Sequence, residues 1–145
     1  MPRVRIRPFA ERDRAALRKV FVAARDAAFV WAPLGSHRPK DFDAAIAGEI
    51  VLVAMADDAP IGFASIWQPD SFLHNLFVHP GFQRRGVGSA LLAACAPYFH
   101  ATATLKCLKR NRAAHRFYSA HGWSVRGEGR DAGGAYLVLG RDGFG

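Results

Sequence analysis

A glycine-rich turn in the middle of the sequence has the composition of a phosphate-binding loop. Its residues are Gln83, Arg84, Arg85, Gly86, Val87, Gly88 and Ser89. Glycines let a backbone adopt positive φ and present successive amide N–H groups. The helix predicted to follow the turn adds the partial positive charge of its N-terminus, and the two arginines add bidentate donors. The chemistry predicted here is that of a cradle for a pyrophosphate group.

Two better-known phosphate-binding motifs fit this turn less well. A P-loop requires a lysine directly after its second glycine, and the turn contains no lysine. A dinucleotide-binding fingerprint requires a third glycine three residues after Gly88, where the sequence has Leu91.

The positive charge of the chain is concentrated around this turn. The sequence has 20 Lys and Arg residues against 12 Asp and Glu residues, a formal net charge of +8. Residues 71–127 contain no acidic residue and eight basic ones, which are Arg84, Arg85, Lys106, Lys109, Arg110, Arg112, Arg116 and Arg126. Such a segment is often only a solvated basic face. Together with the cradle, it favours a bound polyanion.

Hydrophobic periodicity predicts the elements that position the turn. The sequence predicts strands at 4–7, 50–56, 61–67, 72–78, 102–108, 124–128 and 135–139. It predicts helices at 11–29, 89–97 and 111–121. A further short helix ends at residue 47 and is capped by Asp41 or Asp43. The order β-α-α-β-β-β-α-β-α-β-β indicates an α/β (α+β) fold, a mixed sheet flanked by helices.

Length and composition indicate one domain over residues 1–145. Half of the residues are apolar, and we find no repeat, linker or low-complexity tract. The longest apolar run, residues 50–56, is too short to cross a bilayer, and residues 1–9 do not resemble a secretory leader. We therefore expect a cytoplasmic protein that does not bind membranes, in which Cys95 and Cys107 are reduced and buried.

Two segments together resemble the GNAT superfamily of acyl-CoA-dependent N-acetyltransferases. The first has the pattern Gln/Arg-x-x-Gly-x-Gly/Ala, matched by Gln83, Gly86 and Gly88. The second has the pattern Asn-x-x-Ala-x-x-Phe-Tyr, then Gly-Phe/Trp, matched by Asn111, Ala114, Phe117, Tyr118, Gly122 and Trp123. The resemblance implies a mostly antiparallel central sheet, with the acceptor-side helices and hairpin in residues 1–70, the acyl-CoA-binding core in 71–127 and the closing strand region in 128–145. Residues 8–49 match the family only in outline.

The resemblance implies acetyl-CoA as cosubstrate and no metal. Its pyrophosphate would be held beside Gln83 by the backbone amides of the turn, which are those of Arg84, Arg85, Gly86, Val87, Gly88 and Ser89. The remaining cofactor contacts would be Leu76, Phe77 and Val78 on the strand before the turn, together with Asn111 and Phe117. Tyr118 would be the general acid that protonates the leaving thiolate. A neutral amine would attack the thioester directly in a ternary complex.

The general base is left open by the sequence. Many members of the family place a glutamate on the strand before the cradle, but residues 71–78 contain no carboxylate. His74 is one candidate because an imidazole changes charge near neutral pH, and a water held by His74 and Asn75 is a second. The third is a carboxylate from the variable half, namely Asp26, Asp41, Asp43 or Glu49. We expect the other histidines in turns or on the basic helix surface, as with His121, and no zinc site.

An aromatic cluster in the least matched region is the candidate acceptor site. It comprises Phe29, Trp31, Pro33, Leu34 and His37. These side chains either close the core beneath a loop or form a lid over an amine-bearing substrate. Phe29, Trp31, His37 and Asn75 are the predicted substrate contacts. The acceptor would be a primary amine of a small molecule or a peptide, and its identity is not readable from the sequence.

Two alternative functions remain at this stage. Because the usual carboxylate base is absent, the chain could hold acyl-CoA without turnover, as a sensor module. A nucleic-acid-binding protein is the more remote alternative, because no aromatic residue is interleaved with Lys106, Lys109, Arg110 and Arg112. We therefore expect no nucleic acid partner. A homodimer and the use of longer acyl-CoAs stay open.

Overall fold

One seven-stranded sheet forms the centre of the protein. A computed structural model describes residues 3–33 and 35–145. The strands are β1 (Val4–Pro8), β2 (Ile50–Ala56), β3 (Ala59–Trp67), β4 (Phe72–Val78), β5 (Ala101–Leu108), β6 (Ser124–Asp131) and β7 (Gly134–Phe144). Their order is β1-β2-β3-β4-β5-β7-β6, and all neighbours are antiparallel except β4 and β5. The predicted mixed, mostly antiparallel sheet is confirmed.

Four α-helices flank this sheet on its two faces. They are α1 (Arg14–Ala28), α2 (Pro39–Ile46), α3 (Val87–Cys95) and α4 (Arg112–Ala120). On one face, α1 and α2 pack against β2 and β3 through a core that includes Phe21, Phe42 and Phe63. On the other face, α3 and α4 pack against a larger core that includes Leu91 and Leu105. In the part of the chain that the structure describes, no helix is long and apolar enough to span a membrane.

The elements follow the predicted order, but several ends differ. The predicted helix 11–29 begins with a separate 3₁₀ turn because the Asp13 carboxylate accepts hydrogen bonds from Arg7 (2.7 and 2.8 Å) and from the Ala10 amide (2.8 Å). α2 begins at Pro39, and Asp41 does not precede it but lies in its first turn, accepting the Arg38 amide at 2.9 Å. Proline suits this first position because its missing N–H would have no partner there.

The last strand runs five residues further than the sequence pattern indicates. β7 pairs with β5 as far as Phe144, opposite Ala101. The Phe144 ring packs on Phe99 with a centroid distance of 5.1 Å, which anchors the end of the strand in the core. Residues 140–143 lack hydrophobic alternation, so the local sequence does not predict this extension.

Candidate functional site

The two parallel strands at the centre of the sheet diverge and leave a wedge between them. β4 and β5 pair only at Phe72 and Thr104, although β4 continues to Val78 and β5 to Leu108. On its other edge, β4 pairs with β3 along its whole length. The edge of β4 that faces the wedge therefore has backbone N–H and C=O groups free to pair with an extended ligand.

A bulge in β4 lies at the closed end of this wedge. Ser65 pairs with Asn75 and Ile66 pairs with Leu73, so His74 is the extra residue. A bulge re-aims side chains, and bulges are common beside active sites. Here it directs two consecutive side chains toward α2, because His74 contacts Glu49 and Asn75 contacts the Ala45 carbonyl.

The glycine-rich turn forms the open end of the wedge. Gly86 is the N-cap residue of α3 with φ of +79°, and Arg84 also has a positive φ of +63°. The first amides of a helix have no acceptor within the helix, so they point toward a ligand. Gln83 ties the turn to β4 by donating to the Val78 carbonyl at 3.1 Å. A Cβ at Gly88 would lie 3.4 Å from Phe117 Cζ, so α4 packs closely against the turn.

A hydrogen-bonded histidine links α4 to the turn. His121 Nδ1 lies 2.8 Å from the Phe117 carbonyl and His121 Nε2 lies 2.9 Å from Ser89 Oγ. A carbonyl only accepts, so Nδ1 carries the proton and Nε2 accepts from the Ser89 hydroxyl. His121 is half-buried, and both of its ring nitrogens are used in these contacts. The contact joins residues 32 positions apart, which no local pattern indicates.

The other predicted residues of α4 lie at the beginning and on the inner side of this helix. Asn111 caps α4 by accepting the Ala114 amide at 3.2 Å. The Tyr118 ring packs on Phe117 and Trp123, with centroid distances of 5.2 and 5.9 Å. Burial raises the pKa of Tyr118, and the nearby Cys107 and Cys95 thiols raise it further. The phenol therefore stays protonated across the neutral range, as a proton donor must.

The two cysteines are buried, as predicted. Burial raises the pKa of Cys95 to about 12 and also raises that of Cys107. The thiolate is the reactive form of cysteine. Neither side chain is thus suited to act as a nucleophile.

A carboxylate and a histidine that the sequence left as separate candidates form one pair. Glu49 Oε2 lies 2.7 Å from His74 Nδ1. The Glu49 side chain is 7% exposed and its other oxygen, Oε1, is buried without a partner among the described residues, whereas the His74 side chain is 43% exposed. A buried carboxylate that orients an exposed imidazole is an arrangement typical of a general base.

The aromatic residues after α1 form a cluster, as expected from their proximity in sequence. Phe29 packs on Trp31 and His37, with centroid distances of 5.3 and 5.8 Å, and His37 Nδ1 lies 2.8 Å from Asp26 Oδ1. The Trp31 ring lies 5.6 Å from the Arg110 guanidinium carbon, so this segment reaches the loop between β5 and α4. Leu34 lies outside the described residues.

Asn75 is not part of this cluster. Its side-chain amide donates to Ser65 Oγ at 2.7 Å and to the Ala45 carbonyl at 3.2 Å. Both amide hydrogens are therefore used, one within the sheet, on β3, and the other to fasten α2 to the sheet. Its role as an acceptor contact remains a prediction.

Arg25, which is not among the residues predicted from the sequence, lies beside the same cluster. Its guanidinium carbon lies 5.1 Å from the centre of the Phe21 ring, 4.9 Å from that of Phe29 and 5.7 Å from that of Phe77. Burial lowers the pKa of Arg25. The spacing of Phe21, Arg25 and Phe29, four residues apart on one helix face, was the signal in the sequence.

Comparison with known proteins identifies the family. A family model described as an acetyltransferase (GNAT) domain matches residues 47–125, more than half of the chain. The chain belongs to the GNAT acetyltransferase family. The match includes both motifs and begins after α2. No curated protein matches the sequence.

Solved structures of this family share the fold along almost the whole chain. A GCN5-related N-acetyltransferase from Rhodopseudomonas palustris is 23% identical with a TM-score of 0.80, covering 98% of this chain and 96% of that one. PaiA N-acetyltransferase from Thermoplasma acidophilum, in complex with coenzyme A, is 16% identical with a TM-score of 0.81 and covers 97% and 99%. YncA from Salmonella typhimurium, a putative acetyltransferase with its cofactor acetyl-CoA, is 21% identical with a TM-score of 0.72 and covers 97% and 94%. At these identities the likeness establishes the fold.

Metal-binding side chains are not grouped in the described ranges. Within residues 3–33 and 35–145, no group of three His, Cys, Asp or Glu side chains lies close enough together to bind one metal ion.

Proposed function

We propose that this protein is an N-acetyltransferase that moves the acetyl group of acetyl-CoA to a primary amine of a small molecule or a peptide. The observation that carries the proposal is the wedge between β4 and β5, which leads from the Glu49–His74 pair to the glycine-rich turn. Membership of the GNAT family supports the same reaction.

The chain has the groups that acetyl-CoA requires. The amides at the start of α3 and the arginines at positions 84 and 85 would bind the pyrophosphate, because a helix N-terminus and guanidinium groups both favour phosphate. The free edge of β4 would pair with the amides of the pantetheine arm near Leu76 and Val78. The coenzyme A and acetyl-CoA named with PaiA and YncA support the choice of cosubstrate. Bound acetyl-CoA supplies the thioester that the amine attacks.

His74 would act as the general base, oriented by Glu49. An ionised carboxylate only accepts, so His74 Nδ1 donates to Glu49 Oε2 and Nε2 is left as a free acceptor. His74 Nε2 would take the proton of the substrate ammonium, directly or through one water. The negative charge of Glu49 stabilises the imidazolium that forms, as the acid of a catalytic triad does.

Tyr118 would act as the general acid. The amine nitrogen forms a bond to the acetyl carbon, the carbon–sulfur bond breaks, and the sulfur takes the phenol proton of Tyr118. The surplus proton on the new amide nitrogen would pass to the Tyr118 phenolate, directly or through water, and so restore the phenol. The proton removed from the amine stays at His74 Nε2 until solvent accepts it. The raised pKa of Tyr118 keeps the phenol protonated until the thiolate develops.

One paired experiment tests this proposal. Calorimetric titration of acetyl-CoA should give micromolar binding to the wild type and equally tight binding to Tyr118→Phe. Free-thiol release with a panel of primary amines should fall roughly 10²-fold in Tyr118→Phe. Tyr98→Phe, in the 3₁₀ turn after α3, is the control and should keep the wild-type rate. Binding without thiol release from any amine would contradict the enzyme and favour the sensor module.

A further inference from the structure

Arg25 is held between three separate elements of the fold. It lies on α1, and the rings around its guanidinium come from α1 (Phe21), from the segment after α1 (Phe29) and from β4 (Phe77). Aromatic faces attract a guanidinium and fix its position. They accept none of its five N–H donors in the manner of an oxygen acceptor.

Arg25 has no carboxylate in contact with its guanidinium in the part of the chain that the structure describes. Among residues 3–33 and 35–145, no carboxylate lies within 4.0 Å of its guanidinium. The neighbouring acids contact other groups, since Asp26 contacts His37 at 2.8 Å and Asp41 accepts the Arg38 amide at 2.9 Å. The charge of Asp41 attracts Arg25 from beyond contact distance, but burial has the larger effect, so the pKa of Arg25 is still lowered. A half-buried guanidinium without a partner is costly. An anionic ligand would remove that cost.

The position of Arg25 relates it to the acceptor and not to the cofactor phosphates. Phe77, which contacts it, packs with the α1–α2 core, whereas Leu76 and Val78 pack with the α3 core behind the cradle. The Glu49–His74 pair lies on the same face of the sheet as α2. His74 precedes Phe77 by three residues, which is about 10 Å along a strand.

We propose that Arg25 binds a carboxylate of the acceptor, so that the preferred substrates are amines that also carry a carboxylate, namely amino acids and related amino carboxylates. This inference rests on the proposed function. A planar guanidinium and a planar carboxylate form two parallel hydrogen bonds. The acceptor side would then offer the Glu49–His74 pair to the ammonium group and Arg25 to the carboxylate.

Matched pairs of acceptors test the inference. Each pair is an amino acid and its primary amide, with α-amino and ω-amino acids of increasing length. For the wild type, we expect kcat/KM for thiol release to be at least roughly tenfold higher for the acid of the best pair, since a charge-assisted hydrogen bond contributes that much. Arg25→Met should lose this preference and Arg25→Lys should keep part of it. Lys19→Met, an exposed change on the same helix, should keep all of it.

A binding measurement separates this inference from the proposed function. With coenzyme A bound, the Arg25 Nε–H resonance should shift on titration with N-acetyl amino acids and should not shift with their amides. Equal turnover of acids and amides by the wild type would overturn the inference and leave the transferase intact. If no amine is acetylated, the proposed function fails, and the resonance alone then decides whether Arg25 binds carboxylates. A tenfold loss of acetyl-CoA affinity in Arg25→Met would also overturn it, because Arg25 would then serve the cofactor.

Discussion

At the scale of single residues, the general base that we propose is His74 oriented by Glu49, a pair and not one residue. The sequence offers His74 and Glu49 as alternatives because they lie 25 residues apart. The bulge in β4 turns His74 toward the end of α2, where Glu49 is nearly fully buried. Asp43, another candidate, is occupied by Arg14 at 2.8 Å and Arg18 at 2.7 Å. It is thus a poor proton acceptor for a substrate.

The pair predicts that both of its members contribute to the rate. His74→Gln should lower kcat/KM roughly 10²-fold, because no group then takes the ammonium proton. In Glu49→Gln the neutral amide no longer stabilises the imidazolium that forms, so kcat/KM for thiol release should also fall, but by less than in His74→Gln.

The matched control is Asp43→Asn, which removes a carboxylate that the structure commits to arginines. Its kcat/KM should be that of the wild type. Wild-type kcat/KM in His74→Gln would rule out His74 as the base, and a roughly 10²-fold loss of kcat/KM in Asp43→Asn would point to Asp43.

At the scale of elements, the glycine-rich turn is encoded by local sequence, whereas the wedge depends on contacts between distant segments. The turn is readable in the sequence because Gly86 supplies the positive φ and Gly88 the close approach to Phe117. The order of strands and helices is readable because hydrophobic periodicity is local. The bulge at His74, the early end of the β4–β5 pairing and the Phe144 anchor depend on contacts between distant segments. No single-sequence pattern contains them.

The positive φ of Gly86 makes it a test of the cradle. A Cβ at Gly86 would meet nothing within 4 Å, so Gly86→Ala acts through backbone strain and not through a clash. We expect the free energy of unfolding to fall by about 1 kcal/mol and the acetyl-CoA dissociation constant to rise roughly tenfold as the amides lose alignment. Urea unfolding and calorimetry measure the two effects.

Gly127→Ala, in β6, is the control for this change. A Cβ there would also meet nothing within 4 Å, and the φ of Gly127 is not positive. Neither stability nor acetyl-CoA affinity should change by more than a few tenths of a kcal/mol. Unaltered acetyl-CoA binding in Gly86→Ala would contradict the role of the turn.

At the scale of the whole molecule, the fold redistributes the charge that the sequence concentrates. Three cations of residues 71–127 pair with acids near the C-terminus, in the pairs Lys106–Asp131, Lys109–Glu128 and Arg126–Asp142. The other five cations form no ion pair within the described ranges: Arg84, Arg85, Arg110, Arg112 and Arg116. Two of these, Arg84 and Arg85, lie at the cradle, so part of the excess positive charge remains where an anionic cosubstrate would enter.

Burial of ionisable groups in one core makes the whole molecule sensitive to alkali. Cys95, Cys107 and Tyr118 belong to or pack against the core under α3 and α4, and burial raises the pKa of each. Above pH 9 the unfolded chain loses the Cys95 proton, whereas the folded chain keeps it up to about pH 12. The unfolded state then binds fewer protons, so the free energy of unfolding falls as pH rises.

The free energy of unfolding should therefore fall with pH along a slope that one substitution reduces. Between pH 10 and 11 the Cys95 thiol alone lowers the free energy of unfolding by about 1.4 kcal/mol per pH unit. Cys95→Ala should remove one such contribution, because alanine does not ionise, and should add a constant loss from the cavity that it leaves. Leu92→Ala, on the same helix and also buried, should give only the constant loss. Urea unfolding in the presence of a phosphine reductant measures both variants. An unchanged slope in Cys95→Ala would mean that the Cys95 thiol ionises equally in the folded and unfolded chains.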